Sequence, residues 1–149
     1  MKKTIFLSIV ISMLAIHGRA QILTPVHWSY GAKKISKTEA VVFIKATIDE
    51  GWHVYSQFVK DGGPVKTNIT FTPSKDYATV GSTAEPKPIT KYEKVFSMDV
   101  SYFEGAVIFQ QKVKLTNGEA IVKGTLEYMT CNNRQCLPPD DIDFSIPVK

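Results

Sequence analysis

Val107-Ile108-Phe109-Gln110-Gln111-Lys112-Val113-Lys114-Leu115, then Thr116-Asn117-Gly118-Glu119, then Ala120-Ile121-Val122-Lys123-Gly124-Thr125-Leu126-Glu127-Tyr128: this stretch decides the fold class. Val107, Phe109, Gln111, Val113 and Leu115 occupy one parity, and Ile108, Gln110, Lys112 and Lys114 the other. The second run repeats the pattern with Ala120, Val122, Gly124, Leu126 and Tyr128. Side chains in a strand alternate between faces, so an apolar period of two marks a strand with one buried face. Asn-Gly between two such runs is a strong hairpin signal, because both turn positions favour positive φ. It predicts that the two strands pair with each other across Asn117-Gly118.

The same period extends outward. Val26, Trp28 and Tyr30 alternate before Gly31. Val42, Ile44, Ala46 and Ile48 form one face of a second strand, with Val41, Phe43, Lys45 and Thr47 on the other, so that strand is expected to be largely buried. Asp49-Glu50-Gly51 turns the chain into Trp52-His53-Val54-Tyr55, and Asp61-Gly62-Gly63-Pro64 breaks it again. Ile69 and Phe71 alternate in a short strand, as do Ile142, Phe144, Ile146 and Val148 near the C-terminus, where Pro147 suits an edge or an end. No stretch after the first twenty residues carries a helical stripe. Many short strands with regular turn signals imply an all-β, single-domain antiparallel sandwich. From Ser82 to Met98 the chain has Pro86, Pro88, mixed charges and two aromatics without alternation. It reads as a long connection, either solvated or a lid.

Residues 1–20 have the order of an export signal: Lys2 and Lys3, an apolar run from Ile5 to Ile16, and Gly18-Arg19-Ala20 as a small-x-small cleavage site. The run is shorter than the ~20 residues of a membrane span. The expected mature domain is 21–149, periplasmic or secreted, with no membrane span. The whole chain has 18 Lys and Arg against 14 Asp and Glu; Lys2, Lys3 and Arg19 leave with the signal, so the mature chain carries 15 against 14, or +1. The basic balance therefore belongs largely to the signal, and nucleic acid is not an expected partner.

Both cysteines lie in Tyr128-Met129-Thr130-Cys131-Asn132-Asn133-Arg134-Gln135-Cys136-Leu137-Pro138-Pro139. Extended chain would hold them roughly 16 Å apart, whereas a disulfide needs Cα atoms about 5.5 to 6 Å apart. If they pair, the chain must turn between them. Asn132-Asn133 suits that turn, and Pro138-Pro139 prevents regular pairing beyond it. With Leu126 facing the core, parity puts Met129 and Cys131 outward. As a staple the pair would be inefficient: closing about six residues contributes roughly 2 kcal/mol, against about 4.7 for about 100 residues. A tight pair suits reversible dithiol exchange, and Arg134 could favour a thiolate. A structural bridge stays open beside it. Metal binding is a weaker alternative, since His27 and His53 form no close ligand pair, and a Cys-His hydrolase with His53 as base, which no local motif supports, is weaker still.

The cysteine run with its Leu-Pro-Pro resembles the N-terminal periplasmic domain of the DsbD-type thiol:disulfide interchange proteins. Gly51-Trp52-His53-Val54-Tyr55-Ser56 resembles the family's Gly-aromatic-x-aliphatic-Tyr element, and Tyr92-Glu93-Lys94-Val95-Phe96 its cap loop. The resemblance spans about Ile22 to Val148. It implies an immunoglobulin-like β-sandwich with a reversible disulfide and no metal or organic cofactor. Cys136 would form the mixed disulfide with a partner and Cys131 would resolve it. The cap, which includes Tyr92, Glu93, Val95 and Phe96, would lie over the pair with Val95 or Phe96 as the covering side chain, and His53 and Tyr55 would sit near it.

The resemblance has departures. This chain has one residue fewer between the cysteines than better-known members, and Lys94-Val95 follow Glu93 where the family has an acidic pair and an aromatic. The sequence contains neither the transmembrane nor the thioredoxin-like domain. The implied partners are therefore separate: a membrane-embedded thiol reductase or thioredoxin-like protein on one side, and an exported disulfide isomerase or cytochrome c maturation protein on the other. Thiol:disulfide interchange activity is expected only with such protein partners. The alternative from another class is a binding module with a structural disulfide, in which Trp52, Tyr55 and Tyr92 line a surface.

Overall fold

The computed structural model describes residues 23–149, so the expected export signal lies outside the described residues. In chain order the strands are β1 (Val26–Lys34), β2 (Glu39–Ile48), β3 (Trp52–Tyr55), β4 (Asn68–Phe71), β5 (Tyr77–Ala84) and β6 (Ile89–Glu93). They continue with β7 (Met98–Phe103), β8 (Ala106–Leu115), β9 (Ala120–Tyr128), β10 (Thr130–Asn132) and β11 (Asp140–Val148). They form three antiparallel sheets, ordered β1-β2-β8-β5, β11-β9-β4 and β10-β3-β7-β6.

The first two sheets face each other across the main core. Val42, Ile44, Ala46 and Ile48 of β2 and Val107, Phe109, Val113 and Leu115 of β8 meet Val122 and Leu126 of β9 and Phe144, Ile146 and Val148 of β11 in one buried cluster. Each Val, Leu, Ile or Phe side chain buried this way contributes about 1.5–3 kcal/mol, which offsets the ordering of the strands. On β2 the outer face is sheltered only in part: Val41 and Phe43 are half-buried, but Lys45 and Thr47 are exposed. Pro147 lies on β11, an edge strand whose only partner among the described residues is β9, so its missing N–H interrupts no inner ladder.

The expected pairing across Asn117-Gly118 is not made. β8 has β2 on one side and β5 on the other, and β9 lies between β11 and β4. Both edges of both strands are taken. Gly118 does adopt positive φ (81°), but the turn carries the chain from one sheet to the facing one. The apolar faces of the two runs therefore meet through the core instead of lying side by side. Lys34 Nζ donates to the Gly118 carbonyl (2.6 Å) and the Thr116 amide to that of Asp76 (2.9 Å), which fixes the crossing.

The expected loop from Ser82 to Met98 is also corrected. It contains the end of β5, all of β6 and a hairpin turn, Lys94–Ser97, leading into β7. β6 is the last strand of its sheet, and its first four residues are exposed. An edge strand wet on both faces has no apolar alternation by which to recognise it.

The cysteine hairpin and its cover: a candidate functional site

The cysteines are placed by a change of sheet. β9 ends at Tyr128 within the core sheet; one residue later β10 pairs with β3, setting Thr130 opposite Val54, Cys131 opposite His53 and Asn132 opposite Trp52. Thr130 Oγ1 donates to the His53 carbonyl (2.9 Å), and the Leu137 amide donates to the Thr130 carbonyl (2.9 Å). The turn is closed by Asn132, whose side-chain oxygen accepts from the amides of Arg134 (2.8 Å) and Gln135 (2.9 Å) and whose own amide donates to the Gln135 carbonyl (2.9 Å). This is an Asx turn, so it needs no left-handed backbone; among described non-glycine residues only Ser97 has positive φ. Cys131 and Cys136 are joined in a disulfide with Cα atoms 4.0 Å apart.

The two halves of that disulfide differ. Cys131 is 2% exposed, whereas Cys136 is exposed. Parity does place Cys131 on the face opposite Leu126, but the expectation that this face is open to solvent is corrected. It carries a second buried cluster of Tyr55, Val59, Val100, Tyr102 and Cys131, against which Phe96, Met98 and Met129 pack. Strand parity identifies a face; what covers it comes from distant segments.

Register explains which other residues arrive. Tyr55 lies opposite Tyr102, Val100 opposite Lys91, and Met98 opposite Glu93, so all six share the face of Cys131 and His53. Trp52 and Val54 take the other parity and enter the main core. The result is a cleft of about 320 Å³ lined by both cysteines and by His53, Tyr55, Lys91, Glu93, Val95, Phe96 and Arg134, among others. Tyr92 does not line it. That side chain, opposite Asp99 in the ladder, is 57% exposed on the alternate parity. Of the two candidate covering residues, Val95 is 87% exposed, while Phe96 is half-buried against the cluster that contains Cys131. The tip is held by amide donations from Phe96 to the Glu93 carbonyl (3.2 Å) and from Ser97 to that of Lys94 (3.2 Å).

One wall of the cleft is aromatic. His53 Nε2 and the Tyr55 hydroxyl are 3.1 Å apart, and the His53 ring lies 5.1 Å from the Tyr55 ring and 4.8 Å from that of Tyr102. Burial lowers the His53 pKa below its ordinary 6.5, opposed by the carboxylates of Glu93 and Glu104. Burial, with Glu93 and Tyr102 adding to it, pushes Tyr55 up to about 12. At neutral pH the pair is therefore a neutral imidazole and a neutral phenol. Among the described residues no three His, Cys, Asp or Glu side chains come together as metal ligands would.

Sequence reasoning missed two parts of this site. Tyr102 is one; its signal was the alternation of Val100 and Tyr102 around Ser101. The other is Glu85, whose carboxylate accepts from Ser56 Oγ and from the Gln57 amide (2.9 Å), tying the end of β3 to the β5–β6 connection. No local pattern announces a partner so far along the chain.

Over residues 19–147 the sequence matches the family described as thiol:disulfide interchange protein DsbD, N-terminal. A sequence comparison with curated proteins finds no match. The fold is similar to a chain in the complex between the DsbD N-terminal and PilB N-terminal domains from Neisseria meningitidis, at TM-score 0.55 and 16% identity, over 84% of this chain and 87% of that one. It is similar to the N-terminal periplasmic domain of ScsB from Proteus mirabilis, at TM-score 0.56 and 19% identity, over 85% of this chain and 49% of that one. The yeast GGA1 GAE domain shares the architecture at TM-score 0.50 and 10% identity, over 86% and 96%. At these identities the structural likeness speaks to the fold, which is an immunoglobulin-like assembly of antiparallel sheets. With the family matched across nearly the whole described domain, the chain belongs to the DsbD N-terminal domain family.

Proposed function

We propose that this chain is an exported thiol:disulfide exchange domain that relays reducing equivalents between protein partners through Cys131 and Cys136. The observation that carries the reading is the asymmetry of the disulfide, with Cys136 exposed and Cys131 2% exposed in the small cluster against which Phe96 packs. A donor thiolate attacks Cys136 Sγ; the sulfur–sulfur bond breaks and Cys131 leaves with the electron pair. The donor's second thiolate then attacks the mixed disulfide at its own sulfur and releases Cys136. The donor ends oxidised and this chain holds two thiols; Cys136 then attacks an acceptor disulfide, releasing one acceptor sulfur, and Cys131 attacks Cys136 to release the other, which reduces the acceptor and restores the Cys131–Cys136 bond. The hairpin of Glu93, Val95 and Phe96 is the cap over the pair, with Phe96 as cover, and swings aside on docking.

The donor is a membrane-embedded thiol reductase or thioredoxin-like protein domain, and the acceptor an exported disulfide isomerase or cytochrome c maturation protein. Residues 1–20 are the cleaved signal and 21–149 the exported domain. No helix among the described residues is long and apolar enough to cross a membrane. The Neisseria meningitidis DsbD N-terminal domain forms a complex with a PilB domain, which supports a protein as the docking partner.

The test is a redox titration of the purified protein in defined thiol buffers. A potential in the range of about −120 to −270 mV, where exchange proteins lie, is expected; one below about −300 mV is that of a structural bridge and sinks the relay. Cys131→Ser should trap a partner through Cys136, and Cys136→Ser should not.

A further inference from the structure

Once a mixed disulfide has formed at Cys136, Cys131 must lose a proton before it can attack. At 2% exposure it has little access to bulk base. A thiol in apolar surroundings ionises less readily than a free one, so the step calls for an acceptor within the cleft. Directly opposite residues of an antiparallel ladder have Cβ atoms about 4.5–5.5 Å apart on the same face, and the residue opposite Cys131 is His53. Both line the same cleft. The cysteine side chain is short and Nδ1 is the imidazole nitrogen nearer the backbone, so Nδ1 is the one suited to a cross-strand sulfur. Nε2 is already engaged with the Tyr55 hydroxyl at 3.1 Å.

We propose that His53 is the proton acceptor for Cys131 when the mixed disulfide at Cys136 is resolved, with Tyr55 holding the imidazole in place. Nε2–H donates to the Tyr55 oxygen and leaves the Nδ1 lone pair free. The Cys131 thiol proton passes to Nδ1 as Cys131 Sγ attacks Cys136 Sγ. The new sulfur–sulfur bond closes the hairpin and the partner sulfur departs with the electron pair as a thiolate. In the reverse direction His53, then protonated, returns the proton to Cys131 as it leaves. This inference rests on the exchange role proposed above. The charged and titratable groups around the imidazole are Tyr55 on its own strand, Tyr102 on β7 with Glu104 just after it, Lys91 and Glu93 on β6, and Arg134 with the cysteines on the hairpin. Burial outweighs the two carboxylates, so the imidazole is neutral, and able to accept, at neutral pH.

The reduced protein is mixed with dithiobis(nitrobenzoate) in stopped flow from about pH 5 to 8.5, a range that brackets the ordinary His and Cys pKa values. The first equivalent of thionitrobenzoate reports attack by exposed Cys136, and the second reports resolution by Cys131. In the wild type the second phase should rise through the His53 pKa, below 6.5, and then level off. In His53→Gln it should be about 10²-fold slower at neutral pH, and its logarithm should climb with unit slope across the range. His53→Tyr retains an aromatic ring but not the base and should match His53→Gln. A wild-type profile with unit slope throughout, or an unchanged second phase in a folded variant, overturns the proposal. The wild-type profile decides the matter alone if both variants misfold. A potential in the range of structural bridges, read by the redox titration above, removes the exchange role whatever His53 does; an exchange-range potential with no His53 effect removes only the proton acceptor.

Discussion

Phe96→Ala should expose Cys131 while leaving Cys136 as it is. The Phe96 ring is half-buried against the small cluster of Tyr55, Val59, Val100, Tyr102 and Cys131. Complete burial of such a ring is worth about 1.5–3 kcal/mol, so its half-burial holds the hairpin tip closed by about 1 kcal/mol. A difference of 1.4 kcal/mol is a factor of about ten in population; removing the ring should therefore raise the open fraction about fivefold. With fast opening, alkylation of reduced Cys131 follows that fraction. Cys136 is already exposed and needs no opening. The assay is iodoacetamide labelling of the reduced protein followed by mass spectrometry, with Cys131 in a Cys136→Ser background and Cys136 in a Cys131→Ser background. Val95→Ala, at a residue 87% exposed, is the control and should change neither rate. If Phe96→Ala leaves the ratio of the two rates unchanged, Phe96 is not the cover.

Gly124→Ala should destabilise the fold by about 1–3 kcal/mol, the usual cost of overpacking, because a Cβ there would collide with the Thr70 carbonyl oxygen and the Phe144 ring; a lower urea midpoint at constant m-value would show it. Asn132→Ala removes the acceptor for the Arg134 and Gln135 amides. A loss of about 1 kcal/mol from the turn that brings the thiols together makes the potential about 20 mV less negative, measurable by the same titration. The lowered pKa of His53 fixes the sign of one pH effect. Below 6.5 the unfolded chain binds the His53 proton more readily than the folded one, so the His53 contribution is fully present above 6.5 and is lost as pH falls toward the folded value. Urea midpoints taken across that window should decline in the wild type and lack this component in His53→Gln.

Period two made the strands legible, because burying one face leaves its mark on every second residue: Val42 to Ile48, Val107 to Leu115 and Phe144 to Val148 all lie where alternation puts them. Pairing was not legible. The runs on either side of Asn117-Gly118 present the same alternation whether they lie side by side or meet face to face through the core. Choosing between these depends on β2, β5, β4 and β11 occupying every edge. The cysteine turn was readable because its chemistry is local to Asn132. The burial of Cys131 was not, since Val59 and Phe96 come from distant loops. β6 escaped notice because exposure on both faces removes the apolar signal by which strands are recognised.

Among the described residues β6 lies at the end of its sheet and pairs only with β7, and the tip it forms with β7 gives Phe96 to the small cluster and nothing to the main core. Changes between Glu93 and Ser97 are thus insulated from global stability. Lys94 and Val95, both exposed, can be exchanged at almost no cost to folding. If the tip takes part in docking as proposed above, partner choice can be altered there by substitution without disturbing the sandwich beneath. The hairpin tip is accordingly the segment to transplant between relatives when asking what sets their choice of partner.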